Sequence, residues 1–271
     1  PIDFSQELSG WSAQLKAVEK SIVSASKAMA YLPQGGTAIG TGVNAHKDFG
    51  KIFAAEVSKL TKLNVKTSTN YFKSLSAQDS AAQLSSSVKN LSLVLTKISN
   101  DLRWMNSGPL TGLGEIELEA LQPGSSIMPG KVNPVIPEAV AMACADVIGN
   151  DVTVSIGSQS GNFQLNVMLP VIAYNLLKSI SLMSNSMPLL ANKAIKTFKV
   201  NKKNIEESLG MNPILVTALN REIGYQKAAN IAKKAYKEKR PIIDVAHEET
   251  GLPLKKLKGL LNPAKLTKGG V

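Results

Sequence analysis

AQDSAAQLSSSVKNLSLVLTKISNDLRWM, Ala77–Met105, decides the fold class. Its apolar residues Ala77, Ala81, Leu84, Val88, Leu91, Leu95, Ile98, Leu102 and Met105 recur at alternating steps of four and three. A helix turns once every 3.6 residues, so these positions form one stripe along one face. Phe4, Leu8, Trp11, Leu15, Val18, Ile22, Ala25 and Met29 repeat the pattern near the start of the chain. Leu169, Ile172, Leu176, Ile180, Met183, Met187 and Leu190 repeat it again, with Pro188 placed to kink that helix. Stripes of this kind favour near-parallel, coiled-coil-like packing. They predict an all-α fold, a long-helix bundle.

A fourth helix is expected just after Asn133, through PVIPEAVAMACADVIGNDVTVSIG. Pro134 suits its first turn, and Glu138 complements its dipole there. Its apolar residues lie on several faces, so it is expected to be buried among other helices. The Ala77–Met105 segment also carries apolar residues off its stripe, among them Leu93, Val94 and Trp104. Such helices need more partners than one short chain supplies, which predicts an oligomer built by helix packing. No stretch alternates as a strand should, except weakly LNVKTSTNYF.

The three loops expected are PQGGTAIGTGVNAHKDFG, the stretch from Ser107 to Asn133, and GSQSGNF. Near Val200 the long patterns stop, and shorter pieces follow, separated by GMNP, KRP and GLP. We therefore expect a central helical-bundle domain over 1–198 and a small helical C-terminal domain over 199–271. The chain begins with Pro1, already inside an amphipathic pattern, and reads as a piece of a longer protein.

Of 271 residues, 44% are hydrophobic and 19% charged, which fits a globular chain with a sizeable core. The single cysteine, Cys144, excludes an intrachain disulfide and fits a reducing compartment such as the cytoplasm. No signal peptide is evident, and no apolar run reads as long enough to span a membrane. The net charge of +11 comes from scattered lysines without an arginine-rich or aromatic groove, so no nucleic-acid partner is expected. The basic surface is either merely solvated or a field that gathers small anions. No Cys, His or acidic cluster has metal-ligand spacing, so neither a metal nor another cofactor is expected.

The chemistry is concentrated in GSSIMPGKVNP, Gly124–Pro134. Ser125 and Ser126 follow a glycine, Lys131 brings a positive charge, Asn133 brings an amide, and a helix N-terminus follows. Such a loop can bind a carboxylate and stabilise extra negative charge on it. Ser125 could act as a base if its alkoxide is stabilised, or as a nucleophile with a base beside it. The two histidines, His46 and His247, form no recognisable triad with it. The plain alternative is a Gly/Pro-bounded loop whose serines only cap the next helix. GGTAIGTG has neither a preceding strand nor a Walker lysine and reads as a tight packing loop.

GSSIMPGKVNP resembles the signature of the fumarase/aspartase superfamily. GGTAIGTGVN, SNDLRWMNSGP, GLGEIELEALQPGSS, VIGNDVTV, SGNFQLNVMLPV and ILVTALNREIGYQKAANIAKKA resemble class II fumarase in the same order, over essentially the whole chain. SGNFQLNVM and LVTALN…IGYQKAA are closer to fumarase than to the aspartase side. The resemblance implies reversible anti addition of water to fumarate, giving L-malate, through an aci-carboxylate intermediate, as in the tricarboxylic acid cycle. It implies that Ser125 is the catalytic base, that Ser126, Lys131, Val132 and Asn133 bind substrate, and that Glu138 orients a histidine. That histidine belongs, in the family, to a Thr-His pair just before the point where this chain begins. The resemblance further implies a homotetramer whose shared active sites each draw on several subunits, and an inactive chain on its own. Two other readings stay open: an aspartate ammonia-lyase, and a non-catalytic helical scaffold that keeps the lyase fold.

Overall fold

The computed structural model describes residues 1–108 and 110–268. Pro109, in the loop expected from Ser107 to Asn133, and the last three residues of the span 199–271 lie outside the described residues. The order is α1 (Phe4–Ala28), β1 (Tyr31–Leu32), α2 (Phe49–Thr61), β2 (Lys66–Thr67), α3 (Tyr71–Ser76), α4 (Asp79–Met105) and β3 (Ile116–Glu117). There follow α5 (Val135–Gln159), α6 (Leu169–Leu190), a π-turn (Ala191–Ile195), β4 (Lys199–Val200) and α7 (Lys202–Gly210). A 3-10 turn (Pro213–Leu219) leads into α8 (Asn220–Ile223), α9 (Tyr225–Glu238), α10 (Ile242–Thr250), α11 (Leu254–Leu260) and α12 (Pro263–Leu266). The fold is all-α; the strands are two-residue pairs, parallel for β1–β2 and antiparallel for β3–β4.

The chain divides into two compact units. The first comprises 1–11, 104–118 and 198 onward. Its core gathers Leu215, Leu219, Ile231, Val245 and Leu257 from the short C-terminal helices. Pro241 and Pro253 stand immediately before α10 and α11, and Gly251 closes α10 with φ +68°. These breakers keep the helices short.

The second unit comprises 12–103 and 119–197, and holds the long helices. The stripe of α4 is buried as its spacing requires: Ala81, Leu84, Val88, Leu91, Leu95, Ile98 and Leu102 are all in the core. Helix α5 buries Val140, Cys144, Val147 and Val154. At its midpoint the buried Asp151 accepts from the Ser85 hydroxyl at 2.7 Å and pairs with the Lys89 ammonium at 2.6 Å. Asp146 pairs with Lys178 of α6. The buried Asp151 carboxylate therefore has the partners that a charge removed from water requires.

Three expectations are corrected. Pro134 is the N-cap of α5, so the helix begins one residue later, at Val135. α5 extends through Gln159, so the first part of GSQSGNF is helical. α5 is also long and apolar enough to cross a membrane by length and composition, the one such helix among the described residues. Its acidic residues broke the run in the linear sequence. Pro188 lies inside α6, which continues to Leu190 and then widens into the π-turn. Proline lacks an N–H and crowds the preceding turn, and a π-turn is one way a helix absorbs that defect.

Candidate active site

The loop from Gly124 to Pro134 lies in the second unit and feeds α5. Two hydrogen bonds close it at the base: the Gly124 N–H donates to the Lys131 carbonyl at 2.9 Å, and the Asn133 side-chain amide donates to the Gly124 carbonyl at 3.1 Å. A Cβ at residue 124 would lie 2.5 Å from the Lys131 oxygen, so only glycine permits the closure. Gly130 turns the chain back with φ +80°.

Within this closed loop the Ser125 hydroxyl oxygen accepts two backbone hydrogen bonds, from the N–H of Ile127 at 3.2 Å and of Met128 at 3.1 Å. Two donors aimed at one oxygen favour negative charge on it. The sequence reading missed these two residues as contributors, because a backbone donor can carry any side chain. The signal available was a serine two and three residues before them, the spacing of a serine turn. No acceptor within the chain takes the N–H groups of Ser125 and Ser126 themselves, among the described residues.

The remaining expected residues are placed as follows. Ser125 and Asn133 are half-buried; Ser126, Lys131 and Val132 are exposed. Glu138 is half-buried in the first turn of α5, its N–H bonded to the Pro134 carbonyl at 3.1 Å. Among the described residues, neither the Lys131 ammonium nor the Glu138 carboxylate has an ion-pair partner. The loop thus brings Ser125, Lys131 and Asn133 together on one short segment, and leaves a cation, a carboxylate and two backbone donors unmatched.

Other candidates lack such an arrangement. His46 is exposed beside Asp48, and the His247 ring nitrogen bonds the Leu252 carbonyl at 2.8 Å near the end of α10. Burial pushes the Cys144 thiol above its ordinary value, with the Thr96 hydroxyl opposing, so it is a poor nucleophile. Among the described residues no group of three or more His, Cys, Asp or Glu could hold a metal. A cleft of about 540 Å³ in the same unit is lined by Leu32, Ser68, Asn70, Lys73 and Gln78, and no residue of the serine loop borders it.

The chain is similar to known proteins over its whole length. A family model described as "Lyase" matches residues 1–149, and one described as "Fumarase C C-terminus" matches 215–268. The chain is 58% identical over 271 residues to a protein named fumarate hydratase class II 2 from Pseudomonas aeruginosa, covering 100% of this chain and 59% of that one. It is 55% identical to fumarate hydratase class II from Xylella fastidiosa, covering 57% of that protein. A recombinant class II fumarase from Schistosoma mansoni superposes with a TM-score of 0.92 at 34% identity, over 98% of this chain and 59% of that one. A fumarate lyase:delta crystallin from Brucella melitensis bound to cobalt gives 0.93 at 37% identity, over 98% and 58%. The chain thus spans somewhat under 60% of the length of each of these relatives. Its long helices, its serine loop and the match over residues 1–149 place the chain in the lyase family of the fumarase/aspartase superfamily.

Proposed function

We propose that the protein to which this chain belongs is a class II fumarate hydratase, and that Ser125 is the base of its reaction. The observation that carries the reading is the pair of N–H groups, from Ile127 and Met128, on the Ser125 oxygen. Hydrogen bonds to a charged group are worth about 1.5–3 kcal/mol each, so both lower the cost of an alkoxide. Towards fumarate, the Ser125 alkoxide takes the proton from the carbon beside one carboxylate. The electron pair moves into that carboxylate, giving the aci-carboxylate. Hydroxide then leaves the neighbouring carbon as water, with a proton from an acid on the other side.

Lys131 is suited to hold the carboxylate whose charge grows, because its ammonium is uncommitted. Asn133 has one N–H on Gly124 and keeps its second N–H and its carbonyl for a ligand. Ser126 adds a hydroxyl and Val132 only backbone. Glu138, unpaired in α5, is suited to orient a histidine supplied from outside these residues. The span 1–198 carries this machinery, and 199–271 is the small C-terminal domain, which shares its compact unit with 1–11 and 104–118. The site is composite, completed by other copies in a homotetramer, and the enzyme is cytoplasmic with no membrane or nucleic-acid partner. A chain of residues 1–271 alone is expected to associate yet leave malate unchanged.

The test is turnover by the full-length protein, followed by fumarate absorbance with L-malate and, separately, L-aspartate. Conversion of malate is expected. Conversion of aspartate alone would make the protein an ammonia-lyase, and a well-assembled protein inert towards both would make it a scaffold.

A further inference from the structure

We propose that the cleft between the end of α1, the α3–α4 corner and the start of α6 binds an α-amino acid with a large apolar side chain. The site is separate from the serine loop, and the assignment does not depend on the reaction proposed above.

The cleft has a volume of about 540 Å³, within the range of small-molecule sites. All its lining residues belong to the second unit. Local sequence builds its rim. The Asn70 side-chain oxygen accepts from the Lys73 N–H at 3.0 Å and so starts α3. That short helix ends at Ala77, which is extended with φ −116° and ψ 137°, and α4 starts at Asp79. The corner thereby brings Lys73 and Asp79 into one cleft. They are the only charged residues lining it. They do not pair with each other, and among the described residues neither the Lys73 ammonium nor the Asp79 carboxylate has any other partner. The Asn70 amide nitrogen and the Gln78 side chain, in the same lining, are uncommitted as well. The rest of the wall is largely apolar. Leu32, Leu75, Leu165 and Leu169 contribute to it, and Leu165 and Leu169 are each 48% exposed, so an apolar group that covers them is favoured.

The charges select the ligand. A dicarboxylate would leave one anionic group facing Asp79 without a cation, and a simple amine would face Lys73. A zwitterion matches both, its carboxylate on Lys73 and its ammonium on Asp79, with amide groups of Asn70 and Gln78 to complete the hydrogen bonding. The leucine-lined wall then asks for an apolar side chain rather than a polar one.

Calorimetric titration of the full-length protein with L-leucine and L-phenylalanine tests this, with succinate present in excess to occupy any dicarboxylate site. Saturable binding is expected to persist in succinate. N-acetyl-L-leucine, which lacks the ammonium, and L-leucinamide, which lacks the carboxylate, are each expected to bind more weakly than leucine. Exposed ion pairs are modest, so Lys73→Gln and Asp79→Asn should each weaken leucine about fivefold. Lys73→Gln should leave leucinamide no weaker, and Asp79→Asn should leave acetyl-leucine no weaker. An unchanged melting temperature shows that each variant is folded, and the blocked ligands test the unsubstituted protein without any variant. Absence of binding at millimolar leucine and phenylalanine, or equal binding of the blocked forms, would overturn the proposal. Displacement of leucine by succinate would overturn it too, by placing the ligand in a dicarboxylate site.

Discussion

Two glycine-bearing loops of the second unit use their glycines in different ways. In the stretch from Gly35 to Asn44, the N–H groups of Gly40 and Gly42 both donate to the Gly36 carbonyl, at 2.9 and 3.0 Å. Its glycines leave room for aromatic rings: a Cβ at Gly36 would lie 2.8 Å from Tyr71, and one at Gly40 2.8 Å from Phe72. In that loop the glycines serve close packing and a backbone turn. The serine loop is closed by its own glycine, and Ser126, Lys131 and Asn133 keep hydrogen-bonding capacity that no neighbour takes among the described residues. Glycine content therefore does not identify a site: in one loop glycine admits neighbouring rings, and in the other it lets a segment carrying Ser, Lys and Asn close on itself.

If this contrast holds, substitutions in the serine loop of the full-length protein should alter chemistry, and those in the packed loop should alter stability. The largest effect is expected for Ser125→Ala. Removing a proton-transfer group costs on the order of 10²–10⁴-fold in turnover. Steady-state rates on malate, with assembly checked by sedimentation, measure it, and near-normal turnover would take Ser125 out of the mechanism.

Lys131→Met comes next. Loss of one hydrogen bond to a charged group corresponds to about 10–100-fold, divided between KM and kcat, since Lys131 faces carboxylate in both the bound substrate and the intermediate. A change in kcat with no change in inhibitor binding would limit its role to the intermediate.

Gly50→Ala, in α2 against Gly35 of the packed loop, probes the packed side. The new Cβ would lie within 2.5 Å of the Gln34 carbonyl and also crowd the Tyr71 hydroxyl. Overpacking of this kind costs about 1–3 kcal/mol. The melting temperature should fall by several degrees while the rate per folded enzyme holds. A selective loss of turnover would break the contrast.

The smallest effect is expected for Val132→Ala. The side chain is 46% exposed, and only its backbone is offered to a ligand. Surface changes of this kind stay within about 0.5 kcal/mol. A tenfold rate loss would mean that the Val132 side chain is itself part of the site.

Much of this molecule was legible in the sequence. The stripes of α1, α4 and α6 fixed helix type and length, because burial of one face repeats with the turn of the helix. The break near Val200 and the Pro and Gly residues after it marked the change to short helices. The serine loop stood out because Ser, Lys and Asn were gathered between Gly and Pro. α2 and α3 were not foreseen, although Phe49, Ile52, Phe53, Val57 and Leu60 already carry a helical spacing in α2. Other features were decided only in three dimensions. Asp151 is tolerable in an apolar helix because Ser85 and Lys89, more than sixty residues earlier, converge on it. The Ser125 oxygen gains its two donors only once Gly124 allows the Lys131 carbonyl to approach and the loop closes. Local periodicity is written residue by residue, whereas the matching of polar groups depends on which distant segments meet, and that is a property of the packed fold.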